Sequence, residues 1–109
     1  MIELYQTEWC PASRRVRQRL TELGIDYVIR QVAADPAKRE LLVELTGASS
    51  VPILVADDGS AVVGEEDIVE YVDAHFEEPA GAWAHRARAA KARRRYLSEE
   101  CTCLPAATR

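Results

Sequence analysis

The stretch Leu4-Tyr5-Gln6-Thr7-Glu8-Trp9-Cys10-Pro11-Ala12-Ser13-Arg14-Arg15-Val16 decides how this chain folds. Residues 2–6 alternate, with Ile2 and Leu4 on one side, as a half-buried strand does. Thr7-Glu8-Trp9 follows as a loop, and Cys10-Pro11 opens a helix, because a proline at the first helical position gives up an N–H that has no partner there. Val16, Leu20 and Leu23 recur at helical spacing and form one buried stripe, which Gly24 ends as a C-terminal cap. The stretch is thus a strand, a tight loop and a helix whose first turn begins at a cysteine.

Working outward, residues 26–32 are rich in β-branched and aromatic side chains (Tyr27, Val28, Ile29) and predict a second strand. Asp35-Pro36 starts a second helix that carries Leu41, Leu42 and Leu45, and Gly47 stops it. Residues 51–56 form a near-continuous apolar strand, Asp57-Asp58-Gly59-Ser60 a hairpin turn, and Ala61-Val62-Val63 the return strand. Glu65-Glu66-Asp67 then places acids in the first turn of a helix with Ile68, Val69, Val72 and Phe76 inside. The order β-α-β-α-β-β-α joins the first two strands by a right-handed crossover, hence parallel, and the last two as an antiparallel hairpin. The expected fold is α/β, a four-stranded mixed sheet flanked by helices, filling residues 1–79. Residues 80–109 are expected to form a basic helical extension, with Trp83, Ala87, Ala90 and Leu97 on a narrow stripe interrupted by Arg94, and a Cys101-Thr102-Cys103 tail.

Composition sets the bounds. At 109 residues, 48% of them apolar, the chain suits one compact domain and excludes a large multidomain enzyme. The net charge of −4 conceals a split: residues 1–79 hold 7 basic and 16 acidic side chains, net −9, and residues 80–109 hold 7 and 2, net +5. No apolar run nears the roughly 18–20 residues of a membrane span, and the opening Met-Ile-Glu-Leu-Tyr lacks a secretory layout, so a soluble cytoplasmic protein is expected. Three cysteines, one of them in the body, cannot build a framework of paired bridges.

Cys10 is the candidate nucleophile. Free N–H groups and the positive end of the helix dipole lower a thiol pKa there, and Arg14 and Arg15 follow one turn on. The alternative is a buried, inert cysteine. In Cys10-Pro11-Ala12-Ser13 the fourth position is serine, which cannot close an intramolecular disulfide, so the expected mechanism uses one thiol: Cys10 forms a mixed disulfide that a small thiol from solution releases. Ser13 either donates its hydroxyl to the sulfur or serves the backbone. Pro52, entering an apolar strand, calls for either a cis Val51-Pro52 bond, which turns the Val51 backbone outward toward an extended ligand, or a trans proline at a strand start. Glu65 and Glu66 lie where backbone N–H groups can take a ligand carboxylate while an acid takes its amine, although acids at a helix start are common without a ligand. Trp9, Pro11, Arg14, Val51, Pro52, Glu65 and Glu66 are the candidate substrate-contacting set, and Cys10 and Ser13 the catalytic one.

Together, Leu4-Tyr5, Cys10-Pro11-Ala12-Ser13, Leu23-Gly24-Ile25-Asp26-Tyr27, Thr46-Gly47, Val51-Pro52-Ile53-Leu54-Val55 and Ile68-Val69-Glu70-Tyr71-Val72 resemble the glutaredoxin and glutathione-transferase amino-terminal branch of the thioredoxin-fold superfamily. The Cys-Pro-x-Ser form is similar to monothiol glutaredoxin-like proteins and cysteine-type transferases. The resemblance implies that Cys10 is the nucleophile, that the Val51 backbone pairs with the cysteinyl unit of glutathione, that Pro52 is the cis-proline, and that Glu65 and Glu66 lie near the γ-glutamyl end. Gly64-Glu65 falls where transferases carry an acid-serine pair, and Thr7 where many glutaredoxins carry a lysine, leaving Arg14, Lys38 or Arg39 to take that lysine's part.

The expected activity is therefore monothiol thiol-disulfide oxidoreduction, with glutathione or another low-molecular-weight thiol as co-substrate and no metal. The expected partners are a glutathionylated or otherwise thiolated protein or a small disulfide, with no membrane, for a monomer or weak dimer. The 30 residues after Pro79 fall short of a transferase's electrophile domain. The competing reading is a non-catalytic carrier of a thiol or of an iron–sulfur cluster. Cys101 and Cys103 could resolve a Cys10 disulfide, bind metal or stand idle, and the tail arginines read as a solvated helix neutralising the acidic body rather than as a nucleic-acid surface.

Overall fold

The computed structural model describes residues 1–98, with side chains through residue 92. Its centre is strand β1, Ile2–Gln6, which pairs in parallel with β2, Tyr27–Gln31, and antiparallel with β3, Ile53–Val55. β3 in turn pairs antiparallel with β4, Ala61–Val63, so the sheet order is β2-β1-β3-β4. Helix α1, Pro11–Glu22, makes the crossover from β1 to β2. Strand β3 is shorter than its apolar run. Val51 and Pro52 lie before the β3 ladder, and the Ala56 N–H turns to the Ser60 carbonyl at 2.9 Å to close the hairpin.

Alternation decides which face is buried. Ile2 and Leu4 of β1, with Leu54 and Ala56, pack on Val16, Leu20 and Leu23 at α1 and on Ile68 and Val72 of α3, Glu65–His75. Each fully buried Leu or Ile in this layer contributes about 1.5–3 kcal/mol. Gly24, at φ +67°, lets α1 end in a left-handed cap, where its N–H reaches the Thr21 carbonyl and the Ile25 N–H reaches the Leu20 carbonyl, both at 3.0 Å. Ile25 then packs back on the core.

The second helical segment is divided. Pro36–Lys38 makes one 3-10 turn, Asp35 capping it through the Ala37 N–H, and α2 runs only over Glu40–Thr46 before Gly47 stops it. Arg39 is the break, with φ −99° and ψ 45°. Its side chain turns inward, is only 8% exposed, and donates to the carbonyls of Ala33 (2.7 Å), Ala34 (3.2 Å) and Ser49 (2.7 Å). Of the three leucines of α2 only Leu42 is buried; Leu41 and Leu45 face outward.

Helix α4 spans Ala82–Ser98. The stripe expected to face inward is corrected in part: Trp83 is 68% exposed and Ala87 is exposed, Ala90 is half-buried, and Ala82 is fully buried while His85 and Ala89 line the cleft against α1. An alanine-rich helix has little apolar contrast around its circumference, so charge sets its rotation. Arg86 donates to buried Glu22 of α1 at 3.3 Å and to Glu78 at 2.7 Å, while Arg19 holds Glu22 (2.9 Å), Asp73 (2.8 Å) and Glu78 (3.2 Å). Turning Arg86 toward Glu22 brings Ala82 and Ala89 inward with it. Leu97 and Arg94 have side chains outside the described residues, as have Cys101 and Cys103 entirely.

Replacing Arg39 removes three charge-assisted bonds that tie two loops together. Arg39→Leu should lower unfolding free energy by about 2–4 kcal/mol in urea titrations, by leaving buried carbonyls without a donor; an unchanged midpoint would show that the loops hold without it.

Candidate functional site

The first turn of α1 is built around Cys10. A helix leaves its first N–H groups without intrahelical partners, and here a sulfur takes the place usually held by a capping oxygen. Cys10 is the N-cap, at φ −74° and ψ 119°, and its Sγ accepts the Ser13 N–H at 3.4 Å. Pro11 occupies the next position, where it needs no N–H partner. The Cys10 N–H binds the Thr7 carbonyl at 3.3 Å, and the Cys10 carbonyl accepts the Arg14 N–H at 3.1 Å.

The loop before it rests on a polar cluster. Gln6 is fully buried; its amide donates to Glu8 (2.8 Å) and to Gln31 (3.2 Å) and accepts from Arg17. Thr7 is buried over this cluster, while Trp9, beside the cysteine, is 86% exposed and forms an apolar rim.

Three effects set the thiol's charge. Burial pushes the Cys10 thiol up, and against it the Ser13 hydroxyl, the Ser13 and Ala12 backbone N–H groups and the Arg15 charge pull it down by more, so it titrates below an ordinary thiol. The Ser13 hydroxyl is fully buried and has no hydrogen-bond partner among the described residues in the resting geometry. A thiolate at Cys10 is a far stronger acceptor than a neutral thiol, so donation from this hydroxyl favours the charged state. A buried donor with nothing to donate to is otherwise a cost.

Two other segments complete the candidate site. The Val51-Pro52 bond is cis, and Val51, half-buried, lies just outside the strand ladder. The Pro52 carbonyl accepts the Gly64 N–H at 3.0 Å, and Gly64, at φ +94° and ψ 149°, is the N-cap of α3. Only glycine adopts that conformation without strain. Arg15 then joins α3 to α1, donating through Nη2 to Glu65 Oε1 at 2.8 Å and through Nε to Oε2. The Arg15 guanidinium holds the Glu65 carboxyl below its usual range. Through these contacts the first turn of α1, the Val51-Pro52 edge and the start of α3 form one connected site.

The expected residues therefore divide. Cys10, Ser13, Pro11, Val51, Pro52 and Glu65 are brought into that connected site, with Trp9 at its rim; Glu66 is exposed on the first turn of α3. Arg14 lines the cleft between α1 and α4, and Arg15 is the cation that acts on Cys10. Of the cations considered for the missing lysine, Arg39 is committed to backbone carbonyls, and Lys38 is exposed beside a groove lined also by Tyr5 and Leu42. Residue patterns mark Arg15 and Arg39 only as cations and do not mark Gln6, and they do not show the partners of the three, which lie 50, 10 and 25 residues away.

A mixed sheet with helices on both faces, a cysteine at the first turn after β1 and a cis-proline before β3 define a thioredoxin-fold protein. A glutaredoxin family model matches residues 2–61, and the chain belongs to the glutaredoxin family. It is 36% identical over 64 residues to an uncharacterized glutaredoxin-like 8.6 kDa protein in the rubredoxin operon of Clostridium pasteurianum, covering 59% of this chain and 84% of that protein. The gene 56 protein of Mycobacterium phage L5 is 26% identical over 78 residues, 67% of this chain and 76% of that protein. Among solved structures, a glutathione S-transferase from Sinorhizobium meliloti superposes with a TM-score of 0.63 at 32% identity, over 70% of this chain and 32% of that one. A Methylobacillus flagellatus glutathione S-transferase, solved with glutathione bound, gives 0.62 at 26% identity over 72% and 39%. The chain thus spans about a third of the transferases it matches.

The thiol's environment makes a two-part prediction. Alkylation of Cys10 by iodoacetamide should follow a midpoint below that of a free thiol, and Ser13→Ala should move it upward without lowering folding stability at pH values well below the thiol's titration, where the residue removed is an unpartnered buried hydroxyl. The sign for stability follows: a folded-state value below the unfolded one favours the fold above the unfolded thiol's pKa, and that gain is lost as pH falls through the folded-state value. An unchanged midpoint in Ser13→Ala would contradict the assigned donor.

Proposed function

We propose that the chain is a monothiol thiol-disulfide oxidoreductase acting on mixed disulfides of glutathione or a similar low-molecular-weight thiol. The observation that carries this reading is Cys10 at the N-cap of α1, its thiol drawn down in pKa, with the buried Ser13 hydroxyl held in reserve beside it. The Cys10 thiolate attacks the glutathione sulfur of the mixed disulfide. The S–S bond breaks, a Cys10–glutathione disulfide forms, and the partner's sulfur leaves as a thiolate that takes a proton from solvent. A second glutathione thiolate then attacks the glutathione sulfur held on Cys10, giving oxidised glutathione and restoring the Cys10 thiolate. Ser13 cannot compete in this second step as a cysteine would.

Binding in this reading uses the Val51 backbone as an added-strand edge and the N–H groups at the start of α3 for a carboxylate. The pairing of Arg15 with Glu65 keeps that acid's charge compensated. The bound glutathione of the Methylobacillus flagellatus transferase supports the choice of thiol.

With a glutathionylated peptide, glutathione and a coupled reductase, the wild type should turn over and Cys10→Ser should fall to the uncatalysed rate. Equal rates for the two proteins would reject the assignment of the nucleophile.

A further inference from the structure

We propose that Glu65 is a specificity-determining residue: by occupying the guanidinium of Arg15 it denies that cation to the carboxylate of a bound thiol, and so leaves the site open to low-molecular-weight thiols with no carboxylate at the α3 end. The inference rests on the oxidoreductase reading above. Both residues belong to the elements that carry the reaction. Arg15 stands on the helix that Cys10 caps, and its charge acts on the Cys10 sulfur. Glu65 is the first residue of α3, and the Gly64 N–H just before it is bound to the Pro52 carbonyl at 3.0 Å, so α3 begins beside the Val51-Pro52 edge. A peptide-like thiol with its sulfur at Cys10 and its backbone along Val51 therefore has one end where Glu65 and Arg15 meet.

The pairing uses up what makes Arg15 a carboxylate receptor. A guanidinium recognises a carboxylate through two parallel N–H bonds from one edge of its fork. Glu65 already holds such an edge, accepting Nη2 on Oε1 at 2.8 Å and Nε on Oε2. Arg15 keeps the Glu65 carboxyl below its usual range, so the pair stays ionic through neutral pH. The neighbouring cations are turned elsewhere: Arg19 is bound to Asp73 further along α3, Arg39 to backbone carbonyls, and Arg14 lines the α4 cleft. What α3 offers a carboxylate is its first backbone N–H groups, since Gly64 brings no capping side chain, and beside them stand the exposed Glu66 and Asp67. The helix start attracts an anion and these two acids repel one, so with Arg15 taken a carboxylate gains little over a neutral group.

The substrate class follows. Glutathione is accepted through its sulfur and backbone, and so is a thiol that has the same peptide-like unit around its sulfur but a neutral or cationic group at the α3 end. A pair that only fastened α1 to α3 would affect stability and leave the choice of thiol untouched. A pair that masks Arg15 has a different signature, because removing Glu65 turns the guanidinium into a fork for the ligand's carboxylate. Only thiols that carry the carboxylate then gain.

One peptide prepared as two mixed disulfides tests this, the first with glutathione and the second with the analogue whose γ-glutamyl α-carboxylate is a carboxamide. The second-order rate of peptide thiol release by the reduced protein is measured for each, and their ratio is taken within each variant, so that a change in Cys10 reactivity cancels. The wild type should use the two within about threefold of each other. Glu65→Gln should shift the ratio toward the carboxylate form by about three- to tenfold, the gain shrinking with added salt, and combining it with Arg15→Gln should abolish the gain. Glu65→Ala should repeat the shift, which keeps the test intact if the Gln variant fails to fold. A wild-type preference for the carboxylate of tenfold or more, a ratio unmoved by both Glu65 variants, or a gain that persists without Arg15 would overturn the proposal. Release from both substrates no faster than by Cys10→Ser would instead reject the oxidoreductase reading, and this inference with it.

Discussion

The start of an α-helix points N–H groups outward that its own turns cannot satisfy, and in this chain the atom that answers them is the sulfur of Cys10. That single constraint orders the rest. Pro11 is tolerated because its position needs no donor. Ser13 must be small and buried, since it sits under the sulfur at the first turn. β1 delivers the chain from the centre of the sheet, and the buried Gln6 at its end is tied to Glu8 of the following loop and to Gln31 of β2. The same positive helix end that completes the cap also favours the thiolate, so structure and reactivity have one cause.

A second tier of contacts holds the surroundings in place across long sequence distances. Arg39 pins the loop after β2 to Ser49, two residues ahead of Val51, and the Pro52 carbonyl is bound by Gly64. Arg15 then closes the circuit from Glu65 back to the cysteine's helix. On the far end of α1, buried Glu22 with Arg19 and Arg86 fastens α4 to the core. Burying a carboxylate is costly without partners, and two guanidiniums here supply them. The acidic body and basic helix are therefore joined by specific pairs at one end, while Arg14, one turn from the cysteine, forms no ion pair among the described residues.

The parts of this arrangement that local patterns can encode were legible in the sequence. Strand alternation at Ile2 and Leu4, the helix signals at Pro11 and Gly24, the hairpin at Gly59 and the proline before an apolar strand each carry a short-range physical signature, and the structure has all of them. What local patterns could not show is where polar side chains go once the chain has closed. Arg39 reads as a cation that could replace the family's lysine, and becomes a buried peg bonded to backbone carbonyls. Arg14 and Arg15 are equivalent neighbours in sequence, and the hundred-degree step between them on a helix sends one to the α4 cleft and the other to Glu65. The inward face of α4 was misjudged for a related reason, since a helix of alanine and arginine has no strong apolar side and takes its rotation from Arg86.

The central claim is that Cys10 alone carries the sulfur chemistry. The most direct test is peptide mapping by mass spectrometry after mixing the reduced protein with a stoichiometric glutathionylated peptide and quenching with acid. One glutathionyl group is expected on the fragment containing Cys10, matched by an equal amount of released peptide thiol. An adduct confined to the fragment with Cys101 and Cys103, or release of peptide thiol with Cys10 unmodified throughout, would contradict it.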